Sequence, residues 1–149
     1  MMDPMRTKHS AAVSVRLRFA DDARLGPGKI ALLEAIGRTG SIAAAGRDMN
    51  MSYRRAWLLI DSLNRMFDAP VVHASPGGPN GGGAALSALG RELVGAYRAM
   101  EADTVRAIDR HFAALRGRMV EAPDHAPRPD GGDADGLQAG DGHDAYRRD

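Results

Sequence analysis

Two serines eleven residues apart, Ser41 and Ser52, frame the segment that most limits what this 149-residue chain can fold into. A serine oxygen satisfies the orphan N–H groups at the start of a helix, and an amphipathic run follows each of these two. Ile42 to Met49 is rich in alanine and closes on Asn50, a residue that enters the left-handed region a sharp turn demands. Ser52 then opens a run to about Phe67, with Ala56, Trp57, Ile60, Leu63, Met66 and Phe67 as its apolar positions. Two helices joined by a tight turn are therefore predicted. Trp57 is assigned to the core, because a ring of that size dominates a small one.

The flanks complete an ordered pattern. Val13, Val15, Leu17 and Phe19 alternate with Ser14, Arg16 and Arg18, which reads as a half-buried strand with a basic outer face. Asp21 to Gly28 is turn material. Ile30, Leu32, Leu33 and Ile36 predict a short helix ending near Gly37. Downstream, Val71 and Val72 form a short strand. Ser75 to Gly83 holds five Gly and two Pro, including the hairpin signal Asn80-Gly81, and Ala84 to Leu86 returns as the partner strand. Ser87 caps a long helix of about residues 88–119. Its late apolar positions Val105, Ile108, Phe112, Leu115 and Met119 step by 3, 4, 3 and 4, a coiled-coil-like seam suited to dimerisation. The fold class is mainly α with a small β wing: a winged helix-turn-helix with a long C-terminal dimerisation helix.

In that arrangement the helix after the tight turn enters the major groove and presents its N-terminal residues to base edges. Here these are Ser52, Tyr53, Arg54 and Arg55. An arginine fork donates two bonds to guanine O6 and N7, and a helix N-terminus offers N–H groups to phosphate. Arg54 and Arg55 point about 100° apart, so one can face a base and the other the backbone. Tyr53 is either a DNA contact or a lid on the turn. Ser41 joins the DNA-contacting set, as do Gly81 and Gly82, whose backbone N–H groups would meet phosphate in a wing without Lys or Arg. Asn64 is read as structural, bonded to the wing or a neighbouring helix.

Charge adds to this reading. Residues 1–120 hold 17 Lys and Arg against 11 Asp and Glu, and residues 121–149 hold 3 against 8. A basic body with an acidic tail suits a nucleic-acid binder. Residues 1–12 are expected to form a flexible basic arm, 13–120 the DNA-binding domain, and 121–149 a disordered acidic tail. No signal peptide or membrane span is expected, and the lack of cysteine fits a reducing compartment, so the chain is placed in a bacterial cytoplasm. The five histidines lack metal-ligand spacing, and no carboxylate pair or Ser-His-Asp grouping stands out. Neither a metal, a cofactor, a small-molecule ligand nor an enzymatic activity is expected.

Ser41 to Asn64 reads SIAAAGRDMNMSYRRAWLLIDSLN. Gly40-Ser41-Ile42, Ser52-Tyr53, Ala56-Trp57 and Asn64, with the wing Gly77-Gly78 to Gly81-Gly82-Gly83-Ala84 and then Leu86 and Gly90, resemble the DNA-binding domain of the ModE-type molybdate-responsive transcription regulators. The resemblance covers about residues 15–115, and the LysR-type helix-turn-helix is a more distant likeness. It implies sequence-specific binding of double-stranded DNA and long helices that pair two subunits. Asn50 stands where that family often has Gly, and Arg55 where its pattern varies. The family's molybdate-responsive members carry C-terminal oxyanion-binding domains, which residues 121–149 are not expected to form. The expected protein is a homodimer on a pseudo-palindromic operator. The alternatives are a protein-interaction adaptor and a DNA-binding subunit controlled by a separate sensor protein.

Overall fold

The computed structural model describes residues 11–75 and 83–120. The expected basic arm (1–12) lies almost wholly outside the described residues, and the wing tip with Gly81 and Gly82 and the acidic tail (121–149) lie outside them entirely.

The chain opens with a small antiparallel hairpin of β1 (Leu17–Arg18) and β2 (Arg24–Leu25), in which Leu17 faces Leu25 and Arg18 faces Arg24. The expected alternation holds from Val13 to Arg18, with Val13, Val15 and Leu17 half-buried between exposed neighbours. Ladder pairing is shorter than predicted, and Phe19 turns outward into the bend. There the Asp22 N–H donates to the Phe19 carbonyl, and Asp22 sits at φ 65°. Arg24 and Leu25, read as turn, supply the second strand. A two-residue strand carries one inward side chain and leaves no periodic signal.

Helix α1 (Pro27–Thr39) begins and ends about three residues beyond its expected limits. Pro27 starts it, at a position whose missing N–H costs nothing, and Gly40 in the left-handed region stops it. It is the central element, burying Ile30, Leu32, Leu33, Ala35 and Ile36. Lys29 is buried with them, its Nζ donating to the Arg24 carbonyl at 2.8 Å and to Ser62 Oγ at 3.3 Å.

Helices α2 (Ile42–Asp48) and α3 (Tyr53–Met66) follow, each capped as predicted. Ser41 Oγ accepts from the Ala44 N–H at 3.2 Å, and Ser52 Oγ from the Arg55 N–H at 3.1 Å. Asn50 holds φ 54° in the turn between them. Ala56, Leu59, Ile60 and Leu63 bury one face of α3. The wing pairs β3 (Val72–Ala74) with β4 (Ala84–Leu86), matching Val72 with Leu86, His73 with Ala85 and Ala74 with Ala84.

Helix α4 (Ala88–Arg116) closes the fold, ending three residues short of expectation. Ser87 caps it by accepting from the Gly90 N–H at 3.0 Å, while its own hydroxyl donates to the Pro70 carbonyl at 2.7 Å. Tyr97 is fully buried and its hydroxyl donates to the Val15 carbonyl at 2.5 Å, fastening the N-terminal strand to α4. Three helices, a two-stranded wing and a long final helix make a winged helix-turn-helix. No helix among the described residues is long and apolar enough to cross a membrane.

Candidate nucleic-acid interface

The turn ahead of α3 is held from within. The Met51 N–H donates to the Gly46 carbonyl at 2.9 Å, folding the chain back on α2. A Cβ on Gly46 would lie 3.3 Å from the Met51 carbonyl oxygen and 3.5 Å from Ala56 Cβ, so small residues on both helices set their close approach. At the other end of α3, Asn64 Oδ1 accepts from the N–H groups of Val71 at 2.9 Å and Val72 at 3.2 Å. Its Nδ2 donates to the Val72 carbonyl at 3.4 Å. One amide thus fixes the angle between α3 and the wing, in the structural role expected of it. The wing is tied on its far side, where the Ala84 N–H donates to the Gly40 carbonyl at 2.8 Å.

With both ends pinned, the outer face of α3 is presented rigidly. Tyr53 is 57% exposed, Leu58 55% and Trp57 47%, and Arg54 is exposed beside them. Trp57 is therefore not in the core. Ala56, Leu59, Ile60 and Leu63 lie within about 100° of one another around the helix, and Trp57 falls outside that arc toward Tyr53. Helical angle decides its place, and ring size does not. Leu58 is the other outward residue that sequence reasoning missed, and the same angular test identifies it.

The predicted site residues separate into groups. Ser52, Tyr53 and Arg54 sit together, exposed, at the start of α3. Arg55 is half-buried on the flank and is engaged in an interaction of its own. Ser41 is half-buried, one helix away, with its oxygen committed to capping α2. The nearby carboxylates are directed elsewhere: Asp61 pairs with Arg65 at 3.0 Å and Asp48 meets Arg38 at 3.8 Å. Among the described residues, Arg54 has no ion-pair partner, and the first turn of α3 holds no acidic residue. The same residues contain no cluster of His, Cys, Asp and Glu that could hold a metal. The arrangement is thus a cationic and aromatic helix face beside free backbone N–H groups at a helix N-terminus.

The seam residues lie on α4. Val105 and Ile108 are half-buried, and Phe112 and Leu115 are exposed.

No family model matches the chain. Individual proteins do. Over 84 residues it is 50% identical to the molybdenum-pterin-binding protein MopB of Rhodobacter capsulatus, covering 56% of this chain and 31% of that one. Over 113 residues it is 37% identical to the molybdenum-pterin-binding protein MopA of the same organism, covering 76% and 41%. Over 87 residues it is 32% identical to the DNA-binding transcriptional dual regulator ModE of Escherichia coli, covering 58% and 33%. The winged-helix region is homologous to the ModE-type regulators. The chain spans only about a third of the length of the curated relatives it matches. What it shares with the ModE-type proteins is the length of a winged-helix region, as the resemblance in Ser41 to Asn64 anticipates.

Proposed function

We propose that this chain is a sequence-specific, double-stranded DNA-binding transcription regulator that lays α3 in the major groove. The observation that supports this most is the outer face of α3: Tyr53 and Arg54 exposed on the first turn, behind a capped N-terminus, on a helix pinned at both ends. A groove reader needs that rigidity, because a base contact tolerates little displacement. The Escherichia coli relative, a DNA-binding transcriptional dual regulator, points the same way.

In this reading Arg54 faces a base edge and Arg55, on the flank, faces phosphate. Ser52 caps α3 with its oxygen, leaving its neighbouring N–H groups to phosphate, and Ser41 and the wing residues Gly81 and Gly82 complete the contacts on either side. The protein acts as a homodimer through Val105, Ile108, Phe112 and Leu115, and its two-fold axis is mirrored in a pseudo-palindromic operator. Half-sites then lie about one helical turn, roughly 34 Å, or a multiple of it apart.

Binding of a duplex recovered from a randomised pool, measured across a salt series, tests the reading. Arg54→Ala is expected to cost roughly 1–3 kcal/mol and relax selection at one base pair. Arg55→Ala is expected to weaken all sequences alike and flatten the salt slope by about one unit. Unchanged affinity and slope in the double variant would remove α3 from the groove.

A further inference from the structure

We infer that Trp57 and Leu58 are base-reading residues, which recognise the C5 methyl groups of thymines in the major groove. This rests on the reading of α3 as the groove-facing helix, and adds to it the chemistry of what is read.

Trp57 and Leu58 are large apolar side chains left about half exposed on a helix whose opposite face is fully packed. They stand on the second turn, directly beyond the first-turn residues Tyr53 and Arg54. At four-residue spacing Trp57 follows Tyr53 and Leu58 follows Arg54, giving two parallel columns on one face. The first two turns therefore offer one cation and three apolar or aromatic surfaces to whatever they meet.

The occupant is indicated by what surrounds the patch. Arg54 stands within it and Arg55 on its flank. No carboxylate lies between Tyr53 and Ile60, and Asp61, one turn beyond Trp57 on the same face, is paired with Arg65 at 3.0 Å. An apolar patch with a cation inside it, at a helix N-terminus, complements a polyanion that displays apolar groups. On the major-groove edge of B-DNA the thymine methyl is such a group, and apolar side chains are what read it.

The spacing adds a constraint. Cβ atoms four residues apart on a helix lie about 6 Å apart, and base pairs rise about 3.4 Å. Leu58 and Arg54 therefore address positions one to two base pairs apart, so a thymine stands within two base pairs of the guanine that Arg54 reads.

The test uses the whole chain and a duplex selected from a randomised pool, in which single thymines are replaced by uracil so that only the methyl group is lost. Wild-type protein is expected to bind about fourfold more weakly at one or two such positions, the equivalent of ~0.8 kcal/mol per methyl. The Trp57→Ala, Leu58→Ala double variant is expected to bind the thymine duplex more weakly and to lose the thymine–uracil difference. That ratio does not depend on the fraction of folded protein, so a partly unfolded variant still reports. If wild type binds both duplexes equally, or the variant binds more weakly yet discriminates as wild type does, the inference is overturned while α3 keeps its groove. If wild type selects no sequence at all, the reading of α3 falls with it. If the variant binds both duplexes as tightly as wild type, the patch does not face DNA, and a protein partner becomes its occupant.

Discussion

The two halves of α4 are one continuous helix with opposite fates. From Ala88 to Met100 it is fastened down: Leu89, Leu93, Val94 and Met100 pack on the core, and Tyr97 is buried in it. Arg98 adds a two-pronged grip on Glu34 of α1 and pairs with Glu101 at 2.6 Å. Among the described residues from Val105 onward, no apolar side chain joins that core. The apolar stripe nevertheless continues. Ile108 lies eleven residues beyond Tyr97, three turns along the same face, and Phe112 and Leu115 extend the line. A stripe that outruns its own core has apolar surface to bury and, among the described residues, no core to bury it against. That supports the second half as the dimer seam, and it makes the two halves separable by experiment.

The sharpest contrast comes from two glycines five residues apart. A Cβ at Gly90 would lie 2.2 Å from the Val71 carbonyl oxygen, which itself accepts from the Ser87 N–H at 2.9 Å. Backbone must move to admit a single methyl. A Cβ at Gly95 would meet nothing within 4 Å. Gly90→Ala is therefore expected to destabilise the domain by about 2 kcal/mol or more, despite alanine's better helix propensity. Gly95→Ala is expected to stabilise it by up to roughly 1 kcal/mol. Urea denaturation of both variants gives the signs. If Gly90→Ala is neutral, the helix is not seated on Val71.

The protruding half is tested by association. Ile108→Ser with Phe112→Ser is expected to shift mass in light scattering from about twice the chain's 15.8 kDa to a monomer. The fold around Tyr97 should survive, with a denaturation midpoint that loses its dependence on protein concentration. Wild type that is monomeric at working concentration would leave the stripe without its proposed partner. DNA binding by the monomer should fall far more than any single α3 substitution lowers it, because one half-site then carries the affinity alone.

The parts legible from the chain alone were those whose causes are local. Ser41, Ser52 and Ser87 announce their helices because a capping oxygen bonds three residues ahead. Asn50 announces the turn because few side chains tolerate its dihedral. Asn64 reads as structural, and its bonds to Val71 and Val72 span only seven and eight residues. Legibility failed where distant segments decide. The seat of Gly90 on Val71, the Tyr97–Val15 bond across 82 residues and the burial of Lys29 leave no trace in periodicity. Trp57 is a different failure. Its helical angle, which the sequence contains, places it outward, and ring size does not alter that. Of the proposed α3 face, the capped N-terminus is legible in the sequence through Ser52, while the exposure of Trp57 and Leu58 follows only from their helical angle.

Lys29 allows the smallest effect to be used as a probe of the anchored region. Burial, with a smaller contribution from the charge of Arg24, pushes its amine below the ordinary lysine value of about 10.4. The unfolded chain holds that proton up to its ordinary value, whereas the folded chain releases it earlier. Between the two values the unfolded state binds more protons, so this group's contribution to stability rises with pH. At neutral pH the cation is carried into the fold and its desolvation opposes folding in full. That opposition fades as pH climbs through the window and is gone above it. Lys29→Met removes the titration. Measured by urea denaturation at pH 7, 8, 9 and 10, the stability difference between the two proteins should therefore move in the wild type's favour as pH rises. Taking the difference cancels other titrations, including Tyr97, whose burial raises its hydroxyl pKa and which loses stability in the opposite sense near pH 10. A difference that stays flat with pH would mean that Lys29 is not held in the desolvated site between Arg24 and Ser62. The monomer–dimer midpoint should be the same in both proteins at each pH, because Lys29 belongs to the packed frame and the seam lies beyond it.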